Sequence, residues 1–198
     1  MSKSETMSHT DGRHQRSERS RDLIIGALLE LVQAGEMNPS AADIARSAKV
    51  SLRTVYRLFE DAETLHRTLA AQIEKAFMPR VLAPLNATDW TSRLFELVER
   101  RVGVYEDLLM VRAAASSCRF ISADLMEYHR RFVEIERRAL DRALSEGHAP
   151  APVDWREIDI FLNFETWRRL RHDLDLSPDA AKASLSRMLK TYLVGADA

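Results

Sequence analysis

Cysteine is almost missing from this 198-residue chain, and the single Cys118 excludes an internal disulfide framework and a Cys/His zinc set. Glycine and proline number only six each. Apolar residues recur at helical rather than alternating spacing, so the expected fold class is all-α. No apolar run has the length that spans a bilayer, and the N-terminus carries no signal-peptide core; the expected location is therefore cytoplasmic. Neither sign of charge dominates, since 29 Lys and Arg face 30 Asp and Glu for a net charge of -1. That balance says little about partners, because local patches can still be strongly basic.

Catalytic chemistry has no visible footing. The six histidines, His9, His14, His66, His129, His148 and His172, show no metal-ligand spacing, and there is no Gly-rich phosphate loop. Paired carboxylates such as Glu134 and Glu136 lie on a highly charged helix and read as solvated surface. Cys118, among alanines and serines, reads as a packed side chain rather than a redox sensor. The chain is therefore expected to be no enzyme, with no metal and no cofactor.

Helices are what is present. Residues 1–17 are polar and become basic toward Arg13 and Arg16, and are expected to form a disordered basic tail. A first helix is predicted from about Glu18 to Ala34, with Leu23, Ile24, Ala27, Leu28, Leu31 and Val32 on one face and Gly35 as its stop. Ser40 and Asp43 form a capping-box pattern before a short helix running from Ala41 to about Ala48. Ser51 reads as the N-cap of another short helix, whose buried stripe is Val55, Leu58 and Phe59. A fourth helix opens near Asp61 and Glu63 and runs to the Pro79–Pro84 region. Longer helices follow over about 89–105, 108–119 and 122–146, and one opened by Asp154 ends near His172. The last is opened by Ser177 and Pro178.

Two short helices joined by a tight turn behind a longer one form a helix-turn-helix arrangement, whose second helix can enter a major groove. The predicted buried set leaves Ser51, Leu52, Arg53, Thr54, Tyr56 and Arg57 near the exposed face. Hydroxyls donate to phosphate oxygens, and arginine pairs with guanine O6 and N7. The same helix pair also occurs as plain packing in all-α proteins, where arginines only solvate a face.

The stretch "ADIARSAKVSLRTVYRLFEDAETL" is similar to the DNA-binding signature of the TetR/AcrR family of bacterial transcriptional regulators. The similarity covers about Arg19 to Leu69, through an IA-x-x-A-x-V-S core, T-x-Y-x-x-F and a following acidic-x-Leu. The stretch "FLNFETWRRLRHDLDLSPDAAKASLSRMLKTYL" also resembles the closing helices of some members. The resemblance implies a homodimer with two DNA-binding heads and a helical ligand-binding body, usually a repressor released from a palindromic operator by a small molecule.

By position, Thr54 and Tyr56 match the family's groove-facing hydroxyl and phosphate-contacting aromatic. Arg53 and Arg57 fall where base or phosphate contacts vary. Two departures stand out. Lys49 holds a turn position where the family often has glycine, which implies either backbone strain of about 1 kcal/mol or a different turn in which Lys49 gains a phosphate contact. Ala62 stands where many members have a lysine. The lost contact implies lower affinity, or compensation by N-terminal arginines such as Arg21 reaching an adjacent groove.

The expected organisation is thus a tail over residues 1–17, a DNA-binding head over 18–62 and an effector-binding and dimerisation body over 63–198. Candidate pocket residues in the body are Trp90, Tyr105, Met110, Phe120, Met126, Tyr128 and Phe132, with Arg101 or Arg112 meeting an anionic group. Aromatics and methionines at helical spacing also serve as ordinary core. The last two helices carry wide apolar faces, from which Phe161, Phe164, Trp167, Leu185, Met188, Leu189 and Tyr192 are expected to build a four-helix subunit interface. An intramolecular core is the competing explanation. The alternative function is a helical module that binds a protein partner and carries a degenerate DNA-binding head.

Overall fold

The computed structural model describes residues 5–149 and 153–196, with side chains described over 14–149 and 153–194. Every regular element among the described residues is helical. The helices are α1 Glu5–Gln33, α2 Ala41–Ser47, α3 Leu52–Leu58, α4 Ala62–Val81, α5 Trp90–Asp107, α6 Leu109–Cys118, α7 Ala123–Glu146, α8 Trp155–Leu162, α9 Phe164–Arg168 and α10 Pro178–Ala196. A π-helical turn, Arg169–Asp173, follows α9. No helix among the described residues is long and apolar enough to cross a membrane.

Most boundaries follow the caps legible in the sequence, with three differences. Helix α1 begins at Glu5 rather than near Glu18, so residues 5–17, expected as a disordered tail, are helical. The buried stripe of α1 is Ile24, Ile25, Ala27, Leu28 and Val32, whereas Leu23 is half exposed. Positions 24, 28 and 32 recur every four residues and define the packed face, and residue 23 lies one step of about 100° outside it. The helix predicted from Asp154 to His172 is broken at Asn163. Its side-chain oxygen accepts from Thr166 N at 2.9 Å and caps α9, while the Thr166 hydroxyl donates to Ile160 O at 2.6 Å.

The chain packs as two compact units. One gathers the chain up to Ile73 with Met110–Glu127, and the other gathers Glu74–Leu109 with the chain from Tyr128 onward. This is a different division from the one expected at residue 62, and it falls inside α4. The first half of α4 buries Leu65 and Leu69. It also meets the start of α7, where Arg67 Nε donates to Asp124 Oδ2 at 2.7 Å and Asp124 N donates to Glu63 Oε2 at 3.2 Å.

The core of the second unit is built from Leu94, Leu97 and Val98 of α5, Leu140 and Ala143 of α7, Ile158 and Leu162 of α8, Trp167 of α9, and Leu185 and Leu189 of α10. Gly147 closes α7 against the start of α5: a Cβ there would run into the Trp90 backbone. Glu106 ties α5 to the π-helical turn, accepting from Arg171 Nε at 2.9 Å and Nη2 at 2.8 Å and from the Trp167 indole at 3.2 Å.

Candidate nucleic-acid interface

The site begins with the caps that fix two very short helices. At the start of α2 the Ser40 hydroxyl accepts from Asp43 N at 3.2 Å, and the Asp43 carboxylate accepts from Ser40 N at 3.3 Å. The capping box is therefore complete. The Ser40 hydroxyl bond first, and then the Arg46 guanidinium, hold the Asp43 carboxyl below its ordinary value.

The turn is a Schellman closure. Val50 N donates to Ala45 O at 3.0 Å and Lys49 N donates to Arg46 O at 3.3 Å, with Lys49 in the left-handed region at φ 54. The strain implied by a non-glycine residue here is present. A side chain in this conformation costs on the order of 1 kcal/mol.

Ser51 N-caps α3. Its hydroxyl oxygen accepts from Thr54 N at 3.1 Å and pairs with the Thr54 hydroxyl at 2.8 Å. Val55, Leu58 and the C-cap Phe59 are buried, as are Ile44 and Ala45 of α2, and together they set the crossing of the two helices. Arg21 of α1 is exposed and its guanidinium sits 5.2 Å from the centroid of the Phe59 ring, at the C-terminal end of α3.

What remains outward is compact. Ser51, Arg53 and Arg57 are exposed, Leu52 is 42% exposed and Tyr56 is 58% exposed. Positions 52 and 56, and 53 and 57, are one turn apart and share a face. Thr54 is half-buried, and its hydroxyl is occupied by Ser51. Lys49, exposed on the turn, adds a cation beside this face, and α3 itself carries no acidic residue. A one-helix ridge with a tyrosine, two arginines and a flanking lysine can enter a groove about 12 Å wide and donate to phosphates and base edges. Leu52 is an apolar side chain on this otherwise polar face. It lies beside the N-cap and outside the Val55–Leu58 stripe.

The candidate pocket residues are divided between the two units. Arg101, Tyr105 and Phe132 line one cavity of about 20 Å³ in the second unit, room for a single water. Trp90 and Tyr128 lie outside its lining, and Arg112 belongs to the other unit, as do Met110, Phe120 and Met126. Arg101 acts there as a brace. Its Nη1 donates to Leu162 O at 3.2 Å and lies 3.5 Å from Asp159 Oδ1, its Nη2 donates to Glu136 O, and Tyr105 OH donates to Leu162 O at 3.0 Å. Burial pushes the Asp159 carboxyl up against the opposing pull of Arg101.

The residues expected at a subunit interface fall largely within the chain's own core. Phe164, Trp167, Leu185 and Leu189 are buried in the chain's own core, with Trp167 at 0% exposure. Such side chains have no surface left for a partner. Phe161, Met188 and Tyr192 are partly buried against the same core. Among the described residues, the large apolar side chains that α8 and α10 present to solvent are Ile160, 63% exposed, and Val194, 74% exposed. Among the described residues, no group of His, Cys, Asp and Glu is placed to hold a metal ion.

Neither a family model nor a curated protein sequence matches the chain. Among solved structures, the chain resembles a candidate transcriptional regulator of the TetR family from Vibrio parahaemolyticus. The TM-score is 0.51 at 23% identity, over 85% of this chain and 95% of that one. At this identity the likeness concerns the fold, an all-α architecture with an N-terminal helix-turn-helix.

Proposed function

We propose that the chain is a DNA-binding transcriptional regulator that places α3 in a major groove. The observation that carries this reading is the exposed cationic face of α3 and its turn, Lys49, Arg53, Tyr56 and Arg57, held outward by two side-chain caps and a buried Val55–Leu58–Phe59 stripe. A seven-residue helix with that much polar and aromatic surface has little to offer a protein core. It suits groove recognition, in which N-terminal residues of the second helix meet base edges. Ser51 and Thr54 act mainly through the cap, and Arg21 flanks the helix from α1.

The regulator is proposed to act as a cytoplasmic homodimer on a palindromic operator, because two recognition helices must meet successive major grooves about 34–36 Å apart. Ile160 and Val194 are the apolar positions open to a second copy on α8 and α10. Repression relieved by a small molecule fits the helical body: a ligand that favours an arrangement with misplaced heads lowers operator affinity by its differential affinity for that arrangement. No enzymatic step is assigned.

The test is DNA binding by Arg53→Ala and Tyr56→Ala, with oligomeric state followed by analytical ultracentrifugation. Both substitutions should weaken binding to a retained genomic fragment at least tenfold while leaving the oligomer unchanged. Undiminished DNA binding by both variants would overturn the assignment of α3.

A further inference from the structure

The second unit contains a cleft much larger than the Arg101 cavity, about 270 Å³, between the segment after α4 and the facing sides of α5 and α7. Its apolar wall is Val81, Leu82, Leu85, Leu97 and Ala139. Three arginines, Arg93, Arg100 and Arg142, line it against one carboxylate, Glu146. From this excess of positive charge in a half-apolar cleft, we infer a binding site for a small organic acid, a carboxylate on an aromatic or short aliphatic body. As the effector site it rests on the regulator reading, whereas as an anion site it stands on the cleft's own residues.

The three arginines are not equivalent. Arg93, 8% exposed, is committed: Nη1 donates to Ala87 O at 2.9 Å and Nη2 pairs with Glu146. That pair uses the one carboxylate of the lining, which Arg142 shares, while Arg100 pairs with Glu96 just outside it, so three guanidiniums face two carboxylates and one positive charge is left over. Arg100 fastens the segment over the cleft, donating through Nη1 to Ala83 O and through Nη2 to Pro84 O at 2.8 Å. Both acceptors are neutral carbonyls. The Glu96 carboxylate pairs with Arg100 at 3.4 Å while also accepting from Asn86 N at 2.8 and 3.0 Å and from Ala87 N at 3.0 Å, so it is shared rather than held by Arg100 alone.

Arg142 reaches the cleft from α7, with Glu146 as its charge partner among the described residues at 3.9 Å in an exposed i,i+4 pair. Such a pair holds its members weakly. An incoming carboxylate can therefore draw Arg142 in and compete with carbonyls for Arg100, since it offers a guanidinium a full opposite charge and a bidentate fit that a single neutral carbonyl lacks. The volume sets the size of the guest. A cavity of about 150 Å³ accepts benzene, so this cleft has room for a benzoate or a medium-chain fatty acid against its apolar wall.

The test is isothermal titration calorimetry of the full chain with benzoate and octanoate, each against its neutral amide. At least one acid should bind with a dissociation constant below 1 mM and at least tenfold more tightly than its amide. Arg142→Glu, at an exposed position, should cost at least tenfold in acid affinity with an unchanged circular dichroism spectrum. Arg100→Gln should do the same, and if it misfolds, Arg142→Glu decides alone. No acid binding, equal binding of acid and amide, or indifference to Arg142→Glu would each overturn the site. Fragment binding measured on the same preparations separates the two readings. Acid binding without DNA binding contradicts the regulator alone, and DNA binding untouched by a bound acid contradicts the effector role alone.

Discussion

Replacing Ser51 separates two jobs that its position combines. Its hydroxyl caps α3 through the 3.1 Å bond from Thr54 N, and it stands exposed at the end of the helix proposed to meet DNA. Ser51→Ala removes the cap, which costs about 1 kcal/mol. For a chain of this size that lowers the melting temperature by roughly 2–4 °C. Ser51→Asp keeps a capping oxygen and adds charge favoured by the helix dipole, so it should hold or raise the melting temperature.

The same carboxylate would stand near a DNA phosphate. At about 6 Å two such charges repel by about 0.7 kcal/mol in water and about 3 kcal/mol at an effective dielectric constant of 20. Two subunits double this, so even the lower figure reaches about 1.4 kcal/mol, a tenfold loss of affinity. Thermal melting and fluorescence anisotropy with a retained DNA fragment read the two effects. The expected pattern is opposite movement: Ser51→Asp stable but at least tenfold weaker on DNA, Ser51→Ala less stable with a smaller binding loss. A stable Ser51→Asp that binds DNA like the parent would refute the placement of α3.

Other residues give further outcomes. Lys49→Gly should relieve the left-handed strain and raise stability by about 1 kcal/mol, while making the salt dependence of DNA binding shallower by about one unit per subunit; melting and binding at several salt concentrations check both. The Asp43 carboxyl, held below its ordinary 3.8 mainly by Ser40, contributes stability that is fully present above pH 3.8 and is lost as the pH falls through its lowered value. The stability difference between the parent and Asp43→Asn should therefore be flat near neutrality and vanish in acid, as urea titrations across that range would record. Gly147→Ala would drive a Cβ into the Trp90 backbone, so a loss of about 1–3 kcal/mol is expected from overpacking, measured by urea unfolding.

The recognition pair was legible because its signals are local. Ser40 with Asp43, and Ser51 three residues before Thr54, are caps whose partners lie within one turn, and the structure builds both as bonds. The left-handed turn at Lys49 could be inferred from a resemblance but not from the lysine itself. Asn163 was not legible as a break, because the apolar face from Ile158 to Leu170 runs on through it and only the Thr166 bonds reveal the cap. An apolar face is ambiguous for a different reason. A wide apolar stripe looks the same whether a helix faces its own core or a second copy, and for Trp167 and Leu189 the core takes it. The 270 Å³ cleft joins residues from 81 to 146. Nothing in the spacing of Arg93, Arg100 and Arg142 along the chain brings them together until α5 and α7 are set face to face.

The short cationic helix α3 is proposed to read DNA. The most direct test is to expose the purified protein to fragments of its source genome at two salt concentrations and sequence what is retained. Three cations per subunit, Lys49, Arg53 and Arg57, make six in a dimer and a slope of about −5 in log affinity against log salt, about a thousandfold loss between roughly 50 and 200 mM. The expected result is retention of an inverted repeat with half-sites about one helical turn apart, lost steeply at the higher salt. Retention of nothing above background at either salt, by protein shown to be folded, would contradict it.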